Sequence, residues 1–424
     1  MTRPGRLLLL VPTQSYRADD FLAAARRLGV PVLVGTDRCH RIEDAFGATE
    51  GLLSIDYRKP EEAAEEIVRA AALEPIAGLV PGDDGTAVIA ALAAERLGLP
   101  RNPPAAARRT ASKLAQREAL GAAGLPVPWF RAFPIAGGPD GPSGEVPYPC
   151  VLKPLGLSGS RGVIRADAPG SFRAAWDRVV AILSTARTDR KARTEGEGSR
   201  ILVEGFVPGP EVALEGLLRG GQMELLALFD KPDPLDGPFF EETIYVTPSR
   251  HPQPLQDTVL RTVAAAAEAL GLREGPIHAE ARLGPAGPVI LEVAARTIGG
   301  LCARSLRFGA GASLEEIVVA HAVGMPLSSV RRESRASGVM MLPIPRAGVL
   351  HGVTGLASAR DVPGIEDVVI TAPDGREVVP LPEGDAYLGF AFARCDSPAE
   401  VEAALRESHR RLAFEIRPPL PTMK

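Results

Sequence analysis

The residues best placed to do chemistry lie in residues 276–300, PIHAEARLGPAGPVILEVAARTIGG. This stretch reads as two strands joined by Gly284-Pro285-Ala286-Gly287-Pro288, because turn residues between alternating apolar runs signal a hairpin. Side chains alternate with period 2, so His278, Glu280 and Arg282 share one face and Ile277, Ala279, Ala281 and Leu283 the other. On the return strand Val289, Leu291, Val293 and Ala295 are expected to form the apolar face, with Glu292 and Arg296 turned the same way as Glu280. A turn centred on Ala286 sets Glu280 opposite Glu292 and His278 opposite Ala294. Opposed residues have Cβ atoms roughly 4.5–5.5 Å apart, and like charges there are destabilising. A divalent cation removes that penalty, and Mg²⁺ suits it, since it takes hard oxygen ligands from one or two carboxylates plus nucleotide phosphates. The plainer alternative is a solvated hairpin face with two exposed glutamates.

Two upstream segments bear on that choice. The run YPCVLKP over residues 148–154 is a strand with Lys153 near its end, and LGLSGSRGV over residues 155–163 is a glycine-rich loop. Ser158, Gly159, Ser160 and Gly162 could lay backbone N–H groups against phosphates, since glycine permits close approach and unusual dihedrals. The loop alone fits an ordinary hairpin turn equally well, but the neighbouring Lys153 ammonium is a good phosphate partner. Lys113, taken alone, reads as a solvated helix lysine.

These residues need a frame. Strands at residues 6–11, 30–35 and 76–80 alternate with helices at 21–28, 61–72 and 86–97, which predicts a parallel sheet with helices on both faces. The loop Pro81-Gly82-Asp83-Asp84-Gly85 follows a strand and precedes a helix, where open α/β sheets bind ligands; a plain turn and helix cap would explain its aspartates as well. A helix over residues 105–123 carries Lys113. Further strands are expected at 201–207 and 211–218, and helices at 171–183, 257–270 and 313–323. Residues 184–199 are polar and charged and are expected to be mobile. From about residue 337 to 418 short strands, Gly/Pro turns and a helix at 399–412 predict an α+β domain. The chain thus divides into residues 1–105, residues 106–330 with a lid at about 126–206, and residues 331–424.

Composition sets outer limits. A chain of 424 residues with 45% hydrophobic content supports several domains with a large core. A net charge of −4 gives no basic footprint for nucleic acid. Cys39, Cys150, Cys302 and Cys395 form no CxxC pair and read as buried thiols in a reducing compartment. The apolar run at residues 7–11 is too short for a signal or membrane segment, so a cytosolic protein is expected.

The order of the parts carries a resemblance. Lys113, then Lys153 with its glycine loop, then Val203-Glu204-Gly205-Phe206-Val207-Pro208-Gly209-Pro210-Glu211, then Glu280 and Glu292: this set resembles the ATP-grasp superfamily over roughly residues 81–324. The resemblance implies an ATP-grasp α/β fold in which both lysines contact nucleotide phosphates and the glycine loop closes over them. It further implies that Glu204 and the backbone through Phe206 and Val207 read the adenine edge, that Glu211 accepts from the ribose hydroxyls, and that Glu280 and Glu292 hold Mg²⁺, with Mn²⁺ as an alternative. Many members carry E-x-N-x-R on the last strand. Here Ala294 stands in place of the Asn ligand, which leaves the number of metal ions open. The segment Glu292-Val293-Ala294-Ala295-Arg296 with Gly299-Gly300 is similar to the L-amino acid ligases. So are Asp230-Lys231-Pro232, residues 237–243 (GPFFEET) and several C-terminal segments.

The reaction this implies is amide ligation through an acyl phosphate. Its transition states spread negative charge, so positioned cations supply most of the catalysis. Arg296 has a planar fork suited to a carboxylate or acyl phosphate, with backbone N–H groups at Gly299 and Gly300 as helpers. Glu242 is the candidate for the first substrate's ammonium group, against an exposed strand glutamate. His278 is either a substrate contact or a packed, hydrogen-bonded histidine. The expected partners are small amino acids, with neither nucleic acid nor membrane, and a homodimer is compatible with this reading. Two alternatives stand beside it: another ATP-grasp enzyme of the purine-pathway or biotin-carboxylase type, or a non-catalytic ATP-binding regulator.

Overall fold

The computed structural model describes residues 5–12, 17–37, 51–188, 197–327 and 329–418. The first sheet contains β1 (Arg6–Leu10), β2 (Val32–Thr36), β3 (Leu52–Ser54) and β4 (Ile76–Pro81), all parallel, in the order β3-β2-β1-β4. Every residue of β1 is buried, as expected for a parallel strand covered on both faces. Chain order reverses between β1 and β4, which is the switch point where such sheets open a crevice. The segment after β4 enters the helix Asp84–Leu97, whose first turn is closed by Asp83 accepting from the Thr86 N–H at 2.8 Å.

A second sheet forms from β5 (Phe130–Pro134), β6 (Cys150–Pro154), β7 (Ile164–Ala166) and β8 (Arg200–Gly205), in the order β5-β8-β6-β7. Its apolar face packs on the helix Pro169–Thr188 through Phe172, Trp176 and Val179. That helix runs into the segment expected to be mobile, and the Ser184 and Thr185 hydroxyls bond back to the carbonyls of Val180 and Ala181. Glu197–Ser199, at the far end of that segment, form a single 3₁₀ turn, and residues 189–196 lie outside the described residues.

The largest sheet has eight strands. In chain order they are β9 (Glu211–Arg219), β10 (Gln222–Lys231), β11 (Ile244–Thr247), β12 (Gly275–Gly284), β13 (Gly287–Ala294), β14 (Ala336–Leu342), then β16 (Ile365–Ile370) and β18 (Gly389–Cys395); a small sheet holds β15 (Gly348–Thr354), β17 (Glu377–Val378) and β19 (Ala413–Arg417). The spatial order β13-β12-β9-β10-β11-β14-β18-β16 makes the sheet continuous across residue 330. One face of its first strands is apolar. Val212, Leu214, Leu228, Ile277, Ala279, Ile290 and Val293 pack with Val259, Val263 and Leu270 of the helix Gln253–Leu270. The opposite face carries the charged residues described below.

Three local features differ from the sequence expectation. The helix expected over residues 105–123 is two helices, Pro104–Thr110 and Lys113–Ala122, broken where extended Ser112 caps the second. Lys113 is therefore the first residue of a helix, where the dipole disfavours a cation, and is not a mid-helix lysine. Second, the hairpin turn is tighter than one centred on Ala286, because Gly284 pairs with Gly287. A bulge compensates: Glu280 pairs with Glu292 while Ala281 pairs with Ile290, so Leu291 is an extra residue. The two shifts cancel, and Glu280 opposes Glu292, and His278 opposes Ala294, as the sequence predicts. The bulge does change the faces. Ile290, Val293 and Ala295 are in the core, whereas Leu291 joins Glu292 on the wall of a cleft. Third, Cys150 and Cys302 are buried free thiols but Cys395 is half-buried; Cys39 lies outside the described residues. Among the described residues no helix is long and apolar enough to cross a membrane.

Candidate active site

A cleft lies between the β5–β8 sheet and the charged face of the large sheet. Its walls include Lys113, Lys153, Ser158, Gly159, Ser160, Glu204, Phe206, Val207, Glu211, Glu242, Glu280 and Glu292. Gly162 backs the glycine loop, and its N–H donates to Pro382 O at 2.9 Å. His278, Arg296, Gly299 and Gly300 are not on the cleft wall.

At the lysine end the backbone is held in unusual conformations. Gly159, Ser160 and Gly162 have φ of 63°, 55° and 73°, and Ser160 is the single non-glycine residue with positive φ among the described residues. A Cβ at Gly162 would come within 2.6 Å of Pro154 Cγ, so glycine is required there. Strain of this kind clusters at ligand clamps. Lys113 donates to Leu157 O at 2.8 Å and lies 3.9 Å from Glu292. Lys153 lies 2.6 Å from Glu204. The same carboxylate faces Arg117 Nε at 2.5 Å, and Arg117 Nη2 donates to Leu291 O at 2.6 Å. Burial would raise the Glu204 pKa, but Arg117 and Lys153 outweigh it and hold the group down at about 2. The carboxylate of Glu204 is thus committed to two cations, and Arg117 is a site residue the sequence reading missed.

The aromatic part of the wall is Phe206 and Phe240, whose rings stack with centroids 6.4 Å apart. The Arg282 guanidinium lies 5.0 Å from the Phe206 ring and 5.7 Å from that of Phe240, and the Arg165 guanidinium lies 4.2 Å from Phe206.

The acidic part is built by cross-strand register. Glu211 on β9 sits directly opposite Lys231 on β10 and Arg282 on β12. Its two oxygens take Lys231 Nζ at 2.7 Å and Arg282 Nε at 3.1 Å. Lys231 also reaches Glu242 at 2.5 Å and Glu280 at 3.0 Å. Burial would lower the Lys231 pKa, yet the three carboxylates hold it well above the usual lysine value. Burial raises Glu242 to about 7, helped by Glu280 and opposed by Lys231; its second oxygen accepts from Tyr245 OH at 2.8 Å. Glu280 is held well below the usual range by Lys231 and His278 against its burial. His278 bridges Glu215 at 2.5 Å and Glu280 at 3.3 Å, and Glu215 also accepts from the Ile298 N–H at 3.0 Å. Burial works against the charged imidazole, but Glu215 raises His278 to about 9.

Arg296 lies past β13 and faces the first sheet. Its Nε and Nη2 lie 3.0 and 3.2 Å from the two Asp84 oxygens, and Nη1 donates to Thr297 O at 3.1 Å. Asp84 holds its charge against burial. One N–H on each terminal nitrogen remains uncommitted. Arg17, at the end of the crevice beside β1, donates to Gly82 O at 3.0 Å and to Thr297 Oγ1. The two aspartates of the 81–85 loop therefore divide their work, Asp83 capping a helix and Asp84 holding Arg296.

Known proteins decide the family. Residues 146–305 match the ATP-grasp domain, residues 22–101 the ATP-grasp N-terminal domain, and residues 340–417 the L-amino acid ligase C-terminal domain 2. The chain belongs to the ATP-grasp superfamily. Carnosine synthase 1 of Gallus gallus is 32% identical over 375 residues, covering 83% of this chain and 40% of that protein. Alanine–anticapsin ligase of Bacillus subtilis is 26% identical over 247 residues, covering 54% of this chain and 50% of that protein. This ATP-grasp chain thus matches half or less of the length of either relative. The structure of an L-amino acid ligase from Bacillus licheniformis superposes with a TM-score of 0.79 at 24% identity, covering 98% of this chain and all of that one, a likeness of fold.

Proposed function

We propose that this ATP-grasp protein is a carboxylate–amine ligase that joins amino acids, as a dipeptide or related amide, through an acyl phosphate. A substrate carboxylate oxygen attacks the γ-phosphorus of ATP, and the bond to ADP breaks. The amine of the second substrate then attacks the acyl carbon, phosphate leaves with the bonding electrons, and the nitrogen loses a proton. The observation that carries this reading is one cleft that brings together Lys113, Lys153, a strained glycine loop, and Glu242, Glu280 and Glu292. The L-amino acid ligase type of its C-terminal residues supports amino acids as substrates.

In this reading Lys113 and Lys153 contact the phosphates, and Glu204 aims Lys153. Phe206 and Val207 supply the adenine wall, and Glu211 faces the ribose. Glu280 and Glu292 suit Mg²⁺ or Mn²⁺, because they are opposed hard-oxygen donors on the cleft wall and Ala294 adds no ligand. Such an ion, when bound, neutralises charge on the phosphates. Arg296 presents its uncommitted N–H groups to the carboxylate or acyl phosphate, with the backbone N–H groups of Gly299 and Gly300 as helpers. Glu242 receives the substrate ammonium, and His278 orients Glu280. We take residues 1–105, 106–330 and 331–424 as the working units of a cytosolic enzyme. Incubating the protein with ATP, Mg²⁺ and pairs of amino acids should give ADP and phosphate in step with a condensed product seen by mass. ADP formation with no amino-acid dependence would refute the proposal.

A further inference from the structure

Among the described residues the tightest gathering of acidic groups is Glu211, Glu242 and Glu280, with one oxygen from each lying within 4.8 Å of the others. On ligand type alone this is a divalent-cation site. Charge and geometry argue otherwise. The Lys231 ammonium bonds all three carboxylates, at 2.7, 2.5 and 3.0 Å. An ammonium has three donors, and here each has one acceptor. The side chain is 3% exposed, and its Nζ also lies 5.0 Å from the Tyr245 ring centroid. The cation is therefore fully satisfied, and a buried charge in that condition resists displacement.

Which residues are tied together also matters. Lys231 binds Oε1 of Glu280, and His278 Nε2 bears on the same atom at 3.3 Å. Tyr245 OH also donates to it at 3.5 Å, so three groups converge on that oxygen, while no lysine, arginine, histidine or hydroxyl donor among the described residues bonds Oε2 and Glu292 opposes this residue across the bulge. Glu211 is fixed between Lys231 and Arg282, and Glu242 between Lys231 and Tyr245. One ammonium thus orients three glutamates.

We propose that Lys231 is the resident cation of this cluster, a positioning residue that keeps metal out of the Glu211–Glu242–Glu280 site and leaves the second oxygen of Glu280 to act with Glu292. The assignment of ligands to the three glutamates rests on the ligase reading; the exclusion of metal does not. The same ammonium would link the ribose, metal and substrate-ammonium positions, so that none of the three glutamates can turn without disturbing the other two.

The test uses the full chain without ATP or amino acids and follows Mn²⁺ uptake from the paramagnetic resonance of the free ion. Wild-type protein should take up little Mn²⁺. Lys231→Met should bind one ion per chain at least about tenfold more tightly, since affinity follows the number of charged ligands, and its thermal midpoint should rise with Mn²⁺. Two outcomes overturn the proposal: folded Lys231→Met that gains no binding, or wild-type uptake that Glu242→Gln abolishes. If Lys231→Met fails to fold, Lys231→Met/Glu242→Gln, with one carboxylate fewer to leave unpaired, must still bind Mn²⁺ more tightly than Glu242→Gln alone; equal binding overturns the idea. None of these arms contains a ligase substrate, so they stand apart from failure of the ligase reading, which shows as wild-type protein that forms no amino-acid-dependent ADP.

Discussion

Replacing Glu204 with glutamine should be the most informative single change. The carboxylate is 2% exposed and lies within 2.5 Å of Arg117 Nε and 2.6 Å of Lys153 Nζ. Glutamine keeps the volume and one oxygen but removes the charge, and its NH₂ confronts donors where an acceptor stood. Arg117, itself 2% exposed, and Lys153 are then left with one neutral oxygen between them, beside the carbonyl of Leu291. Removing one member of a buried pair costs roughly 3–5 kcal/mol. Linkage gives a similar figure: a carboxyl moved from its usual 4.5 to about 2 contributes on the order of 3 kcal/mol, at about 1.36 kcal/mol per pKa unit. The two routes agree, although both describe one pair.

The sign fixes the pH window. The folded-state pKa is depressed, so the contribution is fully present above about 4.5 and is lost as pH falls towards about 2. A chain of this size need not unfold in one step, so the effect is best read locally, as hydrogen exchange of β6 and β8 amides in variant and wild type at matched pH. At pH 7 and at pH 5 the Glu204→Gln amides should exchange faster by on the order of a hundredfold. By pH 3 the ratio should have shrunk by more than an order of magnitude, because the unfolded chain has then taken up the proton while the folded carboxylate has not, which cancels most of the contribution. A ratio near one at pH 7, or a ratio that does not change between pH 7 and pH 3, would show that Glu204 does not hold the lysine end of the cleft together.

Other expectations follow from the same geometry. Glu280→Gln and Glu292→Gln should each abolish metal-dependent ADP formation while circular dichroism stays that of the wild type; near-normal turnover at low Mg²⁺ in either would remove the hairpin from the metal site. Arg296→Lys keeps the charge but loses the planar guanidinium with its uncommitted N–H groups, so amino-acid-dependent ADP release should fall roughly a hundredfold or more. ATP affinity by calorimetry should change less than about tenfold, or ~1.4 kcal/mol; a collapse of ATP affinity instead would make Arg296 a nucleotide ligand. Gly162→Ala must hold alanine at φ 73° against Pro154, and should loosen ATP binding through the displaced loop. Hydrogen exchange of the glycine loop should slow when ATP is added, and equal protection with and without ATP counts against closure over phosphates.

The sequence makes some parts of this molecule plain and hides others for identifiable reasons. Hydrophobic period and turn residues mark the first sheet and the Glu280–Glu292 pairing. The bulge at Leu291 is invisible because nothing in its side chain announces an extra residue. The assignment of Leu291 to the core fails there, although the pairing survives through a compensating shift in the turn. The break at Ser112 is readable in principle: a serine three residues before Ala115 can cap a helix. An unbroken alanine-rich pattern on both sides conceals it. β10 is missing from the sequence reading, although Gly220-Gly221, which both take positive φ between β9 and β10, are a hairpin signal. What could not be read is that β10 ends with Lys231 opposite Glu211, because a bulge between Leu225 and Ala227 shifts the register set by the turn. Arg117 escapes for a different reason, its partners lying 87 and 174 residues away.

The position of Arg296 carries the argument one step further. The residue proposed to meet the reacting carboxylate is held by an aspartate from the first sheet, at the place where its strand order reverses. Asp84 is half-buried, and the Asp83 cap begins its helix there. The first sheet therefore contributes a counter-ion that sets the direction of the guanidinium. Arg17 joins the same two regions through Gly82 and Thr297. Asp84→Asn should then act like a partial loss of Arg296. The amide oxygen can still accept the one hydrogen bond from Nη2, but the charge that faces Nε is lost and an NH₂ group stands there, donor against donor. Amino-acid-dependent ADP release should fall by about tenfold or more with ATP affinity unchanged, and Asp84→Asn added to Arg296→Lys should cost less than the sum of the two single changes, since both act on one contact. Additive costs would separate the two residues and leave Asp84 as a surface contact of the first sheet.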